Sequence, residues 1–314
     1  MRISLSQWYT PPMRRLLPLL LVLAIASPAW AWSRAGHMIV GAIAYDDLKA
    51  NHPGTLAKWI AVLHGHPLWA TFEKRINAVA PENRDRYLLM VAGRWADDIR
   101  DDKALSHPLW HYIDYPVTAP GDTTPTSPPD EDNAITALTQ QAAVLKDRSA
   151  KPADRAIAAC WVEHIVGDVH QPMHTVSLFS AKLPKGDKGG NLIWVQAERG
   201  GQSVNLHALW DTLLTDTESY QNAANIATAL RLREDTKRDA LAGVKEMDPN
   251  AWVKESVDIA YRLAYLNGKI ESGTKKQGAL LPAGYLKNAK AAAEKRTALA
   301  GYRLADAMVV TLGE

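Results

Sequence analysis

The sequence predicts a mainly α-helical single domain with one small β-hairpin. Three observations lead there. Apolar residues recur at helical spacing along most of the chain, prolines stand where helices start or stop, and only one short stretch alternates like a strand. Helices are expected at about 37–50, 55–64, 82–100, 133–147, 152–171, 205–214, 222–245, 250–268 and 284–311. Pro152 suits a first turn, where its missing N–H would be unpaired anyway, and Pro172 stops the same helix. Residues 116–132, PVTAPGDTTPTSPPDED, read as an exposed, mobile loop. Residues 191–195 and 203–204, joined through Gly200 and Gly201, make the expected hairpin. No internal repeat and no linker divides the chain, so residues 32–314 are read as one domain.

Residues 1–31 read as a cleaved secretory signal. Arg2, Arg14 and Arg15 are the only charges there; an apolar run over 16–26 follows, and then Ala29-Trp30-Ala31. A membrane anchor needs about 20 apolar residues and this run is much shorter. Cleavage after Ala31 makes Trp32 the first residue and implies a periplasmic or secreted protein, with no membrane association after removal of the signal.

The signal carries three of the 36 basic residues and none of the 34 acidic ones, so the mature balance is −1. No basic field announces a polyanion, and any attraction for phosphates must be local. Cys160 is the only cysteine, which excludes an intrachain disulfide, and its neighbours Ala158, Ala159 and Trp161 suggest a buried thiol.

The chemistry lies in histidine and aspartate. His164 and Asp168 are four apart on one expected helix and share a face, with Cβ atoms about 6 Å apart. His174 follows just beyond Pro172, where the chain can turn back. His207 and Asp211 form a second such pair, while Asp97, His111 and His37 stand in separate segments. Either pair alone is readily a surface ion pair or a satisfied core histidine. Taken together, so many rings and carboxylates in a helical interior call for a shared positive charge. Nitrogen and carboxylate donors without thiolate point to zinc, ahead of manganese or iron.

Trp32 with Gly36-His37, Trp95-Ala96-Asp97, Trp110-His111, His164-x3-Asp168-x-His170-Gln171-Pro172-Met173-His174, Gly189-Gly190-Asn191 and Asn205-Leu206-His207-x2-Trp210-Asp211 occur in this order. The set resembles the zinc-dependent single-strand-specific nucleases, the family of mung-bean nuclease and the fungal nuclease P-one. Ala300-Gly301-Tyr302-Arg303-Leu304-Ala305 is similar to that family's last helix, so the likeness covers nearly the whole mature chain.

The resemblance implies three zinc ions at the bottom of a cleft. Asp97, His111, His164 and Asp168 would hold one. Trp32, through its free α-amine and carbonyl, would hold another with His37 and with Asp168 as bridge; His174, His207 and Asp211 would hold the third. His170 is left as a supporting residue. The implied reaction is hydrolysis of single-stranded RNA and DNA to 5′-phosphorylated products, with removal of the 3′-phosphate from nucleotides. Two zincs bridged by Asp168 would share the attacking hydroxide, and the third would stabilise the leaving 3′ oxygen. Arg100 matches the family's phosphate clamp, its plainer alternative being a helix-end charge. Tyr112 is read either as a base-stacking ring or as core packing, Asp114 as an acceptor from base edges, and Asn191 as a further substrate contact. The alternatives are a zinc-dependent phospholipase C, which also uses an N-terminal Trp but a more distant first His and a final Glu, and a non-catalytic zinc-binding protein. No stable protein partner is implied.

Overall fold

In the computed structural model the described residues are 33–313, and they form a mainly helical fold. The segment 1–31 expected to be a signal, and Trp32, lie outside them. Ten α-helices are present among the described residues: α1 (Arg34–Asn51), α2 (Pro53–Leu63), α3 (Trp69–Ile76), α4 (Arg84–Asp98), α5 (Ala134–Lys146), α6 (Pro152–Asp168), α7 (Leu206–Asp211), α8 (Tyr220–Leu232), α9 (Pro249–Ile259) and α10 (Tyr285–Leu312). None is long and apolar enough to cross a membrane.

Pro152 does open α6 at its first turn, and that helix is buried almost throughout from Ala156 to Asp168. Beyond its exposed first turn it has no solvent face, because α2, α4, α5 and α10 surround it. Cys160 is fully buried within it, and burial pushes the thiol well above its usual range, as an inert packing residue requires. The second buried helix, α1, lies against α4, α8 and α10. It approaches α4 closely at Gly41, where a β-carbon would stand 2.7 Å from the Leu89 carbonyl oxygen. The main core gathers Trp59, Leu89, Trp161, Ile165 and Leu304, and a separate cluster around Met173, Ile193, Leu206 and Trp210 underlies the strands. Burying such side chains contributes about 1.5–3 kcal/mol each.

Strand content is small. β1 (Tyr115–Thr118) pairs in parallel with β2 (Val176–Phe179), while β3 (Trp194–Gln196) lies between antiparallel β4 (Val204–Asn205) and parallel β5 (Ala279–Leu280). The expected hairpin is therefore β3–β4, shorter than 191–204. The start of the 116–132 segment is strand β1, and the rest is irregular and mostly exposed.

Several helix limits differ from the periodicity. Helix α3 was not expected. The 222–245 segment is helical only to Leu232, because Arg233 turns to an extended conformation (ψ 135°) and the Thr236 hydroxyl takes up the Leu230 carbonyl. The 250–268 segment ends as a π-turn over Ala260–Ala264, after which Leu266 and Asn267 take positive φ. The helix from Pro152 stops at Asp168, four residues before Pro172.

Candidate metal centre

Six separate segments deliver the donor side chains. α1 carries His37 near its start, α4 carries Asp97 in its last turn, and a 3-10 turn over Pro108–His111 ends in His111. α6 presents His164 and Asp168 one turn apart; a second 3-10 turn, Pro172–His174, brings back His174; and α7 presents His207 and Asp211. All eight side chains are buried. They converge in three groups, with donor atoms in each within 4.8 Å of one another: His37, His164 and Asp168; Asp97, His111 and His164; and His174, His207 and Asp211.

Asp168 joins these groups. Its Oδ1 lies 3.2 Å from His37 Nε2 and 3.4 Å from His174 Nδ1, and its Oδ2 lies 3.0 Å from His164 Nε2 and 3.3 Å from His111 Nδ1. Burial disfavours its ionisation, but the rings of His164, His174 and His37 outweigh burial and hold its carboxyl well below the usual range. Asp97 is lowered too: burial opposes it, and His164 and Arg100 prevail. Burial lowers the pKa of His37, His207 and His111, the last to about 4, so these rings are neutral and able to ligate. His174 is pushed up to about 9, because Asp168 and Asp211 more than offset its burial.

The imidazoles are oriented by backbone. His164 Nδ1 lies 2.8 Å from the Gly93 carbonyl, His207 Nδ1 2.7 Å from that of Gly189, and His174 Nδ1 2.6 Å from that of His111. Each carbonyl takes an Nδ1 proton and leaves Nε2 as the donor atom for a metal. Eight buried atoms here make no hydrogen bond: both His37 nitrogens, Asp97 Oδ2, His111 Nε2, both Asp168 oxygens, His174 Nε2 and Asp211 Oδ2. An unpaired buried polar group costs about 1–3 kcal/mol, so eight in one place suit cations rather than packing. The donor set fits zinc: nitrogen and carboxylate, no thiolate.

Other expected residues border the groups. Arg100 donates from Nε and Nη2 to Asp97 Oδ1, at 3.0 and 2.6 Å. Asp114 follows His111 on extended chain, and burial, with Asp187 nearby, raises its pKa to about 7. Tyr112 is half-buried, and burial and Asp114 raise its phenol. Asn191 donates to the Lys188 carbonyl at 2.8 Å and ends the loop whose Gly189 carbonyl holds His207. His170 faces away from the groups, with Nδ1 2.7 Å from the Val166 carbonyl and Nε2 3.0 Å from Arg303 Nη1.

Some residues of the centre escape sequence reasoning. Gln171 donates from Nε2 to Asp211 Oδ1 at 2.6 Å and accepts from the Met173 amide, so it orients a donor from a different helix. Its only signal was a place between His170 and Pro172. Gly167 and Asp187 are likewise legible only once the chain is folded.

Comparison with known proteins agrees with this geometry. Residues 32–312 match the family model described as S1/P1 Nuclease. Endonuclease 5 of Arabidopsis thaliana is 32% identical over 159 residues, 47% of this chain and 48% of that protein. Endonuclease 4 of the same plant is 29% identical over 159 residues, with the same coverage. The matched part is thus about half the length of these relatives. Nuclease S1 of Aspergillus oryzae (strain ATCC 42149 / RIB 40) is 26% identical over 320 residues, covering 93% of this chain and 96% of that protein. Phospholipase C is accordingly not favoured. With its family model matched from residue 32 to 312, this chain belongs to the S1/P1 nuclease family.

Proposed function

We propose that this protein is a zinc-dependent nuclease that hydrolyses single-stranded RNA and DNA to 5′-phosphorylated products and removes the 3′-phosphate of nucleotides. The observation that carries the reading is the junction at Asp168, where one buried carboxylate faces His37 and His174 from one oxygen and His111 and His164 from the other. Asp97, His111, His164 and Asp168 would hold one zinc, His37 and Asp168 with the Trp32 terminus a second, and His174, His207 and Asp211 a third. Zinc in such a centre supplies Lewis acidity and lowers the pKa of water toward neutrality.

The chain's own residues do the rest. Asp168 spans two donor groups and fixes their separation. Arg100, which donates to Asp97 Oδ1 from Nε and Nη2, would also bind a phosphoryl oxygen through its guanidinium. Asp114 and Asn191 flank the groups where a base edge can be met, and Tyr112 can stack an unpaired base. A paired base has neither its face nor its edge to offer, which supports preference for single strands. Signal removal after Ala31 would make the Trp32 amine available as a donor and place the enzyme in the periplasm or outside the cell.

The test combines zinc analysis, N-terminal sequencing and hydrolysis of single-stranded and duplex substrates. Three zincs on a chain beginning at Trp32, with acid-soluble nucleotide released from single strands, are expected. Zinc-loaded protein that releases none, with Asp168→Asn no different, would sink the proposal in favour of a zinc-binding protein without catalysis.

A further inference from the structure

Asp187 lies in the loop between β2 and β3, is not among the donors, and is fully buried. Its Oδ1 accepts from the Leu178 amide at 2.8 Å, the Tyr265 hydroxyl at 3.0 Å and the Ser177 hydroxyl at 3.4 Å, and the Gly190 amide is also directed at this carboxylate. The loop wraps tightly around it: Gly186, Lys188, Gly189 and Gly190 all have positive φ, between 57° and 85°. For Lys188 that conformation is strained and needs surrounding contacts to persist.

The wrapped loop presses on two histidine-bearing segments at once. A β-carbon at Gly189 would stand 2.4 Å from the Met173 carbonyl oxygen and 3.2 Å from His207 Nδ1; one at Gly190 would stand 2.6 Å from Met173 Cε. The Gly189 carbonyl oxygen lies 2.7 Å from His207 Nδ1, while His207 Nε2 lies 3.5 Å from Asp211 Oδ2. We propose that Asp187 is a positioning residue for the His174–His207–Asp211 group: by gathering donors from β2, the loop and Tyr265 it fixes the Gly189 carbonyl, which sets the His207 tautomer and aims Nε2 at the metal. The inference rests on the metal-dependent reading above. A carboxylate suits the task because it only accepts, and the Leu178 amide and the Tyr265 and Ser177 hydroxyls all donate to its Oδ1. Gly189 and Gly190 bear on Met173, next to His174, and on His207, so the effect falls on this one group.

The experiment uses wild-type protein, Asp187→Asn, which keeps the shape but exchanges an acceptor for a donor, and Asp187→Ala. Zinc is counted through a graded chelator titration, and the His207 tautomer is read by nitrogen NMR in zinc-free protein. Both variants are expected to bind one zinc of three about 10–100-fold more weakly, with the other two unchanged, and to lose the uniform Nδ1–H form of His207. An unchanged tautomer with three zincs of wild-type affinity overturns the inference, as does equal weakening of all three. Wild-type protein that takes up no zinc overturns the metal reading instead, and the tautomer then decides the positioning role alone. If Asp187→Ala does not fold, the Asp187→Asn comparison gives the same decision.

Discussion

The His37 ring lies so close over Gly167 that a β-carbon built there would stand 2.7 Å from Nδ1 and 3.0 Å from Cε1. Gly167 occupies the buried last turn of α6, where neither helix nor ring can yield by moving toward solvent. Its value to the centre is the space it leaves. We expect Gly167→Ala to displace His37 from Asp168 and to weaken one zinc site, while overpacking costs about 1–3 kcal/mol of stability. Metal analysis beside a denaturant melt reads both. A variant that keeps its full zinc complement and wild-type stability would show that the ring has room after all.

Arg100 serves either the phosphate or the Asp97 carboxylate, and the two roles separate cleanly. Both of its hydrogen bonds to Asp97 go to Oδ1, the oxygen that also lies 3.9 Å from His164 Nε2 and 4.0 Å from His111 Nδ1, while Oδ2 lies 4.0 Å from His37 Nε2. If the guanidinium acts on substrate, Arg100→Ala lowers kcat/KM about 100-fold, near 2.7 kcal/mol of transition-state stabilisation, without loss of zinc. Arg100→Lys then recovers little, since a point charge cannot form the fork. Loss of zinc in parallel with activity would instead mark Arg100 as a brace for Asp97.

Long amphipathic helices and two donor pairs are legible in the sequence because both depend on spacing within one segment, whereas His37, Asp97 and His111 join the set only through the family resemblance. The i, i+4 pairs His164/Asp168 and His207/Asp211 show this, and the structure brings each pair together. Helix α3 was missed because eight residues are too short for periodicity to stand out. The β1–β2 pair was hidden because its strands are only four residues long, lie 61 positions apart in register, and include Pro116. Gln171, Gly167 and Asp187 act through neighbours distant in sequence. A one-dimensional pattern carries no trace of a β-carbon that must be absent or a carbonyl that must be held.

A buried imbalance of charge behind His170 gives a stability prediction. The guanidiniums of Arg296 and Arg303, both essentially inaccessible, share the single carboxylate of Glu255 at 2.6 to 2.8 Å. Arg296 Nε also donates to the His170 carbonyl at 3.2 Å, tying α10 to the turn that follows Asp168. Glu255→Gln would leave two buried cations without a counter-charge; the Glu255 side chain is itself 34% exposed, so solvent screens part of the loss, which is about 1–3 kcal/mol. At about 2–4 °C per kcal/mol for a chain near this size, Tm should fall by roughly 5 °C. A melt within a degree or two of wild type would mean that water already neutralises the pair.

Acid sensitivity should trace in part to His66, which is remote from the donor groups in sequence and packs against Phe72 and Trp95. Its Nδ1 accepts from the Leu68 amide at 3.0 Å, and burial lowers its pKa to about 4. The folded value lies below the ordinary value of 6.5, so the unfolded chain takes up the proton first as pH falls. The stabilisation from a neutral His66 is complete above pH 6.5 and is lost progressively as pH drops toward 4, amounting to about 2–3 kcal/mol at most. Replacing the ring with the non-titrating acceptor of His66→Gln should lower stability at pH 7 yet flatten its decline between pH 6.5 and 4. Both proteins are to be melted free of zinc, so that the donor histidines and carboxylates titrate alike in each and the difference in slope belongs to position 66. Parallel curves through that window would show that His66 accepts a proton in the folded chain as easily as in the unfolded one.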